Sequence, residues 1–491
     1  MSLAATVMPV AADDSILYRR IQDTQSFMTF RDKAILGPAL RNISGAASLS
    51  DVTIGFVVES SEEPRIPQLG NGGHHIAVGA NTFQRLGLHD VVWGKALYVN
   101  GKKKQVVWNE TSDYLQLYPY VMGDERGGDM CVEQYQLRGG YSSRTNNVYY
   151  GVELGYRALS EYRDRDPRPN NTVADLYARI GGGYQLAGKN VLALTVDVGK
   201  YKQTNELAYY NELGSQKEYH LTGLGNDFAR FSGISTNTFY KGYNIGTSLN
   251  LARTDAKGLA ASAGYMYTQR QKILSDLNRL PLNELKTDSM YGMVSCSGKG
   301  YGVMVTGCHT SRKGNDNIFG EPTGNVYPQI GTVEQYKGTT TAVKAEGFYT
   351  ILNTCHWIWN VESQVCYVSL RNKHKSSGNS LDSDDLLFGV KAKVDYIQSR
   401  NALSFSARFT RRSNLSLSQN IHDAVNEFLT QNLQHVCSWL SGGESVLGLS
   451  FDYTRQVMNN KALTVGTCWQ RATYLRGFGS NEVNVWIQLT I

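Results

Sequence analysis

The 491-residue sequence predicts an all-β fold: a closed antiparallel transmembrane β-barrel of roughly 14–18 strands, preceded by a short N-terminal helical segment. Three observations point there. From Asp51 to Ile491, apolar and polar residues alternate with a period of two, segment after segment. The polar faces hold Gly, Ser, Thr and Tyr with isolated charges, where a sheet facing open water would carry long Lys and Glu side chains. Tight turns and longer polar connections join the segments by turns, the layout of an outer-membrane barrel.

Taken in order, the chain opens with MSLAATVMPVAADDS. Leu3 to Ala11 are mostly apolar, and Val10-Ala11-Ala12 is a small-residue cleavage pattern followed by two aspartates. Residues 1–12 are therefore expected to be the end of a secretory leader that lacks its basic start. Residues 13–50 form an N-terminal segment, helical or lodged in a lumen, in which Ile16, Ile21, Phe27, Phe30, Ile35 and Leu40 recur at loosely helical spacing. The barrel is assigned to residues 51–491.

Within it, NNVYYGVELGYRALS sets Val148, Tyr150, Val152, Leu154 and Tyr156 against Tyr149, Gly151, Glu153, Gly155 and Arg157. The same alternation runs through 174–184, 191–200, 257–270, 387–396, 402–412 and 446–454. The final stretch sets Val483, Val485, Ile487, Leu489 and Ile491 against Asn484, Trp486, Gln488 and Thr490. Strict alternation marks a half-buried strand, and roughly 9–11 tilted residues cross a bilayer. Turns at Ala187-Gly188, Ser399-Arg400-Asn401 and Asn459-Asn460 leave no room for crossovers, so neighbours are antiparallel. Asn100-Gly101 reads as a further hairpin turn, with Lys102-Lys103-Lys104 as a solvated strand start. Long polar connections are expected at 203–232, 272–284, 313–337, 372–384 and 413–442. The last has Ile421, Val425, Phe428 and Leu429 at helical spacing.

Composition narrows the function classes. The chain is 41% hydrophobic without any apolar run of helix-spanning length, and it is rich in Gly (49) and Tyr (30). Tyrosine, with an apolar body and a wet tip, suits membrane interfaces. Tyr149-Tyr150 with Tyr156, and Tyr265 with Tyr267, sit at segment ends where a girdle would lie. A net charge of +6 fits a mildly basic surface and implies no nucleic-acid partner. Seven cysteines, an odd number without CxxC pairs, do not form a closed disulfide framework. Cys308-His309 and Cys355-His356 are strand neighbours facing opposite ways, so no metal or other cofactor is expected there. GxSxG, HExxH, P-loop and placed GxGxxG motifs are absent, and no catalytic residue is assigned.

Candidate site residues are the charges on the polar faces: Arg138, Glu153, Arg157, Asp175, Arg179, Asp197, Lys391, Lys393, Asp395, Arg408 and Asp452. Carrying both signs in a lumen, they predict internal pairing and weak ion selectivity. A second cluster, Arg163, Asp164, Arg165, Asp166 and Arg168 around Pro167 and Pro169, reads as a stiff loop of paired charges. Trp93, Trp108, Tyr114, Tyr118 and Tyr120 offer either an aromatic platform or ordinary packing. His74-His75 and His220 stand apart from carboxylates in sequence, and structural roles are expected for them.

Between 89 and 231 the chain carries WGKALYVNGK, LYPYV, YRDRDPRPNN, YKQ and HLTGLG in that order. Through these motifs it resembles an uncharacterised outer-membrane β-barrel family of Bacteroidota. The resemblance implies an exported barrel in the Gram-negative outer membrane, in contact with its lipid, often beside TonB-dependent uptake systems. It implies a transport or accessory role, as a pore or as a subunit partnered with a TonB-dependent transporter or surface lipoprotein. It supplies no substrate and no catalytic residue. The alternatives are a soluble or surface-attached all-β binding protein and, less favoured, an outer-membrane lipid hydrolase.

Overall fold

The computed structural model describes residues 15–211, 217–233, 237–255, 257–298, 300–324, 326–422, 425–474 and 477–491. The expected leader at 1–12 lies outside these. Eighteen strands form one antiparallel sheet: β1 (Leu49–Ser61), β2 (Gly72–Leu86), β3 (Asp90–Val106), β4 (Gly128–Thr145), β5 (Val148–Tyr162), β6 (Arg168–Gln185), β7 (Asn190–Ala208), β8 (Thr238–Arg253), β9 (Gly258–Leu274), β10 (Leu280–Ser297), β11 (Tyr301–Phe319), β12 (Gln329–Asn353), β13 (Trp357–His374), β14 (Ser380–Gln398), β15 (Asn401–Asn420), β16 (Glu444–Met458), β17 (Lys461–Tyr474) and β18 (Gly479–Thr490). Each strand pairs with the next, and β18 pairs with β1 through Ile54↔Ile487 and Val58↔Val483. The sheet is thus a closed barrel. Closure removes the two edges whose unpaired N–H and C=O groups would otherwise be exposed.

The aliphatic faces point outward. Ile180 is 64% exposed, Leu154 56%, Val303 56% and Ile487 53%, while their polar neighbours in sequence point inward. Glycine on the inward face has a packing reason. A Cβ on Gly155 would collide with the Tyr177 ring, and one on Gly466 with Trp486. Lumenal aromatics therefore lie flat across bare backbone on the adjacent strand. All seven cysteines are free thiols, and no described helix is long and apolar enough to cross a membrane.

Two ends are distinguishable. At one lie tight turns such as 87–89, 146–147, 399–400 and 459–460; at the other lie 62–71, 107–127, 217–233 and 425–443. Several expected loops are shorter than the sequence suggested. Strands run on through 203–208, 313–319, 329–337 and 413–420, and β12 reaches 25 residues. Polar residues there continue the pairing beyond the length a hydrocarbon layer needs, roughly 9–11 residues. The expected connection at 272–284 shrinks to 275–279 for the same reason.

Asn100-Gly101 is not a turn. Both lie inside β3, paired with Ile76 and His75, and a Cβ on Gly101 would strike the His75 side chain and the His74 carbonyl. This glycine serves a close strand approach, and the three lysines after it continue the same strand. The expected loop helix exists but begins later, as α4 (Glu427–Ser441), capped by Asn426, whose Oδ1 accepts from the Phe428 N–H at 2.7 Å.

Candidate functional site: a lumen closed at both ends

At the tight-turn end, residues 15–48 fold inside the barrel as α1 (Ile16–Asp23), α2 (Ser26–Ala34) and a 3-10 turn, Pro38–Ile43. Ser15 caps α1 by accepting from the Tyr18 N–H. The apolar spacing seen in the sequence buries Ile16, Ile21, Phe30, Ile35 and Leu40. Leu17 and Ile21 pack on Ile358, Ile397 and Ala402. Phe30 meets Phe348 edge-on at 5.1 Å, beside Met293 and Met304. Ala39 and Leu40 pack on Tyr149, Val191, Ala193 and Ala252. These partners come from β5, β7, β8 and β10–β15, nine of the eighteen strands.

Polar contacts fix it in place. Arg20 donates to Thr490 Oγ1 (2.7 Å) and Gln488 Oε1 (2.8 Å) on β18 and to Asp51 Oδ1 (3.3 Å) on β1. Ser26 donates to Glu362 (2.7 Å), Gln25 to Asp395 (3.1 Å) and Lys33 to Glu346 (3.0 Å). Ser142 on β4 donates to the Ala39 carbonyl (3.0 Å). Burial pushes the Asp23 carboxyl from 3.8 up to about 6, and the nearby Asp32 and Asp51 add to the shift.

At the long-loop end, residues 107–127 turn into the barrel mouth and carry α3 (Tyr114–Leu117). Met122–Gly123, Tyr219–Gly223 and Asn226–Asp227 make a small three-stranded sheet there. The loop is held by a buried charge cluster. Arg163 Nη2 donates to Asp124 Oδ2 (2.6 Å) and Glu110 Oε1 (3.4 Å), and its Nε to the Pro167 carbonyl (2.8 Å). Glu110, Asp124, Glu218 and His220 are completely buried. Burial, and then the Glu218 carboxyl, hold Glu110 well above the usual carboxylate range; burial also raises Glu218. Burial, with Lys272 nearby, keeps the His220 imidazole well below its ordinary value and hence neutral.

Asn171 and Asn205 both donate to the Glu110 carbonyl at 2.8 Å, Tyr201 donates to Asp113 at 3.0 Å, and Lys272 Nζ donates to the Val121 carbonyl at 3.0 Å. The motifs LYPYV, YRDRDPRPNN, YKQ and HLTGLG, far apart in sequence, therefore meet at one inward loop and its anchors. Of the predicted charged loop, Arg163 is buried in this cluster. Arg168 pairs with Asp166 (2.8 Å), which also accepts the Tyr210 and Asn211 N–H groups, and Asp164 and Arg165 are exposed.

Between plug and cap stand the predicted wall charges. On β5–β7, Arg157 makes a bidentate pair with Asp113 (3.0 and 2.5 Å) and approaches Asp175 (3.7 Å). Two inward-facing layers toward the plug, beyond Gly155 and Tyr177, Arg179 pairs with Asp197 and lies 3.6 Å from Glu153, which accepts from Trp93 Nε1 at 2.8 Å. Arg138 shares the inward face, between Lys95 and Gly155. The other five, on β14–β16, stand across the barrel from this ladder. Lys393 pairs with Asp395 (3.3 Å) and donates to the Thr24 carbonyl (2.9 Å), and Lys391 lies 3.6 Å from Glu362. Arg408 lines the same lumenal space as Lys391, and Asp452 lies beside Trp486, whose ring covers Gly466. The candidate charges therefore form two separate sets. Glu110 and Asp124 were missed because only the loss of alternation at 107–127 marks that stretch as different, and Glu218 because nothing in its polar connection sets it apart.

Above the ladder, a cavity of about 330 Å³ lies between the inward loop, the small sheet and α4. Tyr114, Tyr118 and Tyr336 wall it, with ring centroids 5.7 and 5.8 Å apart in succession. Arg312, Thr340 and Asn372 line its lumenal side. Of the predicted aromatics, Tyr114 and Tyr118 line this cavity, Tyr120 and Trp108 are buried in the inward loop, and Trp93 belongs to the ladder.

A sequence model of a family of unknown function, DUF6850, matches residues 38–491, the 3-10 turn and every strand. The chain belongs to the DUF6850 family. No curated protein matches this DUF6850 chain in sequence. Among solved structures it is similar to BauA, the ferric preacinetobactin receptor from Acinetobacter baumannii, at 9% identity and a TM-score of 0.45, over 89% of this chain and 80% of that one. It is also similar to the outer membrane transporter YddB from Escherichia coli, at 8% identity and a TM-score of 0.39, over 90% and 80% of the two chains. The ferric enterobactin receptor PfeA from Pseudomonas aeruginosa shows 8% identity and a TM-score of 0.37, over 90% and 81%. At these values the likeness is one of general barrel shape.

Proposed function

We propose that this DUF6850 chain is an outer-membrane barrel of a transport system, closed in its own lumen, that serves as an accessory subunit and not as a passive pore. The membrane part follows from the outer face. Leaving a Leu or Ile side chain in water forgoes about 1.5–3 kcal/mol, and successive strands expose such residues all along their outward faces. Hydrocarbon is the solvent that removes this penalty, and a closed sheet satisfies its backbone within it. The tight-turn end then faces the periplasm and the long loops face outside.

The single observation that carries the accessory role is residues 15–48 packed and hydrogen-bonded against strands around the barrel, beneath the buried cap. An open pore would need that space. The partner is a TonB-dependent transporter or a surface lipoprotein, meeting the long-loop end. The lipid-hydrolase alternative needs a serine, a histidine and a carboxylate in hydrogen-bond sequence. His374 bonds Ser377 and Thr222, but no described carboxylate stands behind it.

The full chain should fractionate with outer membranes, need detergent, and migrate differently on gels before and after heating. In planar bilayers it should give no steady conductance, whereas a variant that lacks residues 15–48 and also carries R163M, which frees the inward loop at the other end, should conduct. Steady conductance from the intact chain would overturn the accessory role; a detergent-free soluble monomer would overturn the membrane assignment.

A further inference from the structure

The cavity under α4 has features that the barrel alone does not explain. Leu429, Leu433, Val436 and Leu440 line it, at a spacing that puts them on one face of α4. Opposite them stand the three tyrosines. Two of these have their hydroxyls engaged: Tyr336 donates to Asn372 Oδ1 at 2.6 Å, and Tyr118 accepts the Leu224 N–H at 3.2 Å. Those rings therefore offer mainly their apolar faces to the cavity.

At the lumenal side sits Arg312. Unlike Arg157, Arg179 and Arg412, it has no carboxylate within ion-pair distance among the described residues. Its Nη1 donates to the Leu115 carbonyl at 2.9 Å, leaving most of a five-donor guanidinium to be satisfied. Ligand pockets are commonly about 300–1,000 Å³, mostly apolar, with a few placed polar groups, and this cavity matches that description at the small end.

We propose that this cavity binds a small amphiphile with one anionic group, its apolar body between α4 and the tyrosines and its anion on Arg312. A bidentate carboxylate fits the planar guanidinium fork best. The lid is pinned at both ends: the Asn426 amide meets Glu125 Oε1 (2.5 Å), and Arg412 binds the α4 carboxyl-terminal carbonyls. The site is therefore preformed.

The test uses the full chain in lipid nanodiscs, titrated calorimetrically with 4-phenylbutyrate and, separately, with neutral 4-phenylbutan-1-ol, against empty discs. The acid should bind saturably and the alcohol more weakly. R312Q should weaken the acid about tenfold or more, the loss expected for a hydrogen bond to a charged group. L433W, which fills the cavity, should abolish binding while leaving Arg312 in place. Where L433W gives no heat-modifiable barrel, 4-(4-bromophenyl)butyrate replaces it. This probe should quench tryptophan emission saturably in the wild-type chain and lose that effect in W439F, because Trp439 lines the cavity. Equal binding of acid and alcohol, no effect of R312Q, or binding no greater than to empty discs would overturn the proposal. Any of these would leave the closed-barrel reading standing, since conductance tests that separately.

Discussion

Arg163 is where single atoms matter most. Its guanidinium is buried between Asp124 and Glu110, and removing one partner of such a pair typically costs about 3–5 kcal/mol. R163M should therefore release the 107–127 loop, seen as new protease cleavage there in intact cells. E110Q should be far milder, because burial and Glu218 already favour the neutral form of that carboxyl. Cleavage of E110Q as fast as of R163M would show that Glu110 works as an anion. Asp23 sets a pH dependence. Its carboxyl is raised in the docked segment, so the stabilisation it supplies is complete below about pH 4 and is lost as pH rises through about 6. Amide exchange over Ile16–Asp23, corrected for intrinsic rate, should be better protected at pH 5 than at pH 7.5, and D23N should flatten that difference. Neither effect was readable in advance, because both depend on which distant residues surround a carboxyl.

Elements show where local pattern suffices. Alternation located the strands correctly, since a period of two is a property of adjacent residues. It misplaced their ends, because polar residues in 203–208 or 329–337 look alike in a loop and in a protruding strand. Asn100-Gly101 misled for a related reason: glycine marks a turn and a close strand approach equally well, and the neighbouring His75 decides. For α4, the helical spacing was visible but its anchor was not. Arg412, on the inward face of β15, donates to the carbonyls of Trp439, Leu440 and Gly442 and lies 4.3 Å from the Trp439 ring. R412A should loosen α4 at its C-terminal end, raising amide exchange across 433–441 severalfold while β15 and β16 stay protected. Unchanged exchange would place the anchoring elsewhere, in the apolar face of the helix.

At the scale of the whole molecule, the lumen is divided into a plug, a charge ladder and a cap, and each layer depends on the one beside it. The Arg157–Asp113 pair joins ladder to cap, and the Lys393–Thr24 contact joins wall to plug. R179A leaves Glu153 and Asp197 without the cation between them, facing each other across β6 on one wall. It should lower the temperature at which the barrel unfolds on gels, and in the variant that lacks residues 15–48 and carries R163M it should shift selectivity toward cations. R157A should instead free the cap loop, giving new protease cleavage within 107–127 that R179A does not give. Identical behaviour of the two variants would contradict the layered arrangement.

The sequence alone determined that the chain makes many antiparallel strands with one aliphatic face, and that mixed charges and glycines occupy the other. Those are consequences of side-chain periodicity and of pleated geometry, legible without any partner. Only the tertiary structure decided that the barrel has eighteen strands, that residues 15–48 fill one end, and that Glu110, Asp124, Arg163 and Glu218 converge at the other. Closure, plugging and buried charge pairing all require groups separated by tens to hundreds of residues to meet, and no local pattern records which of them do.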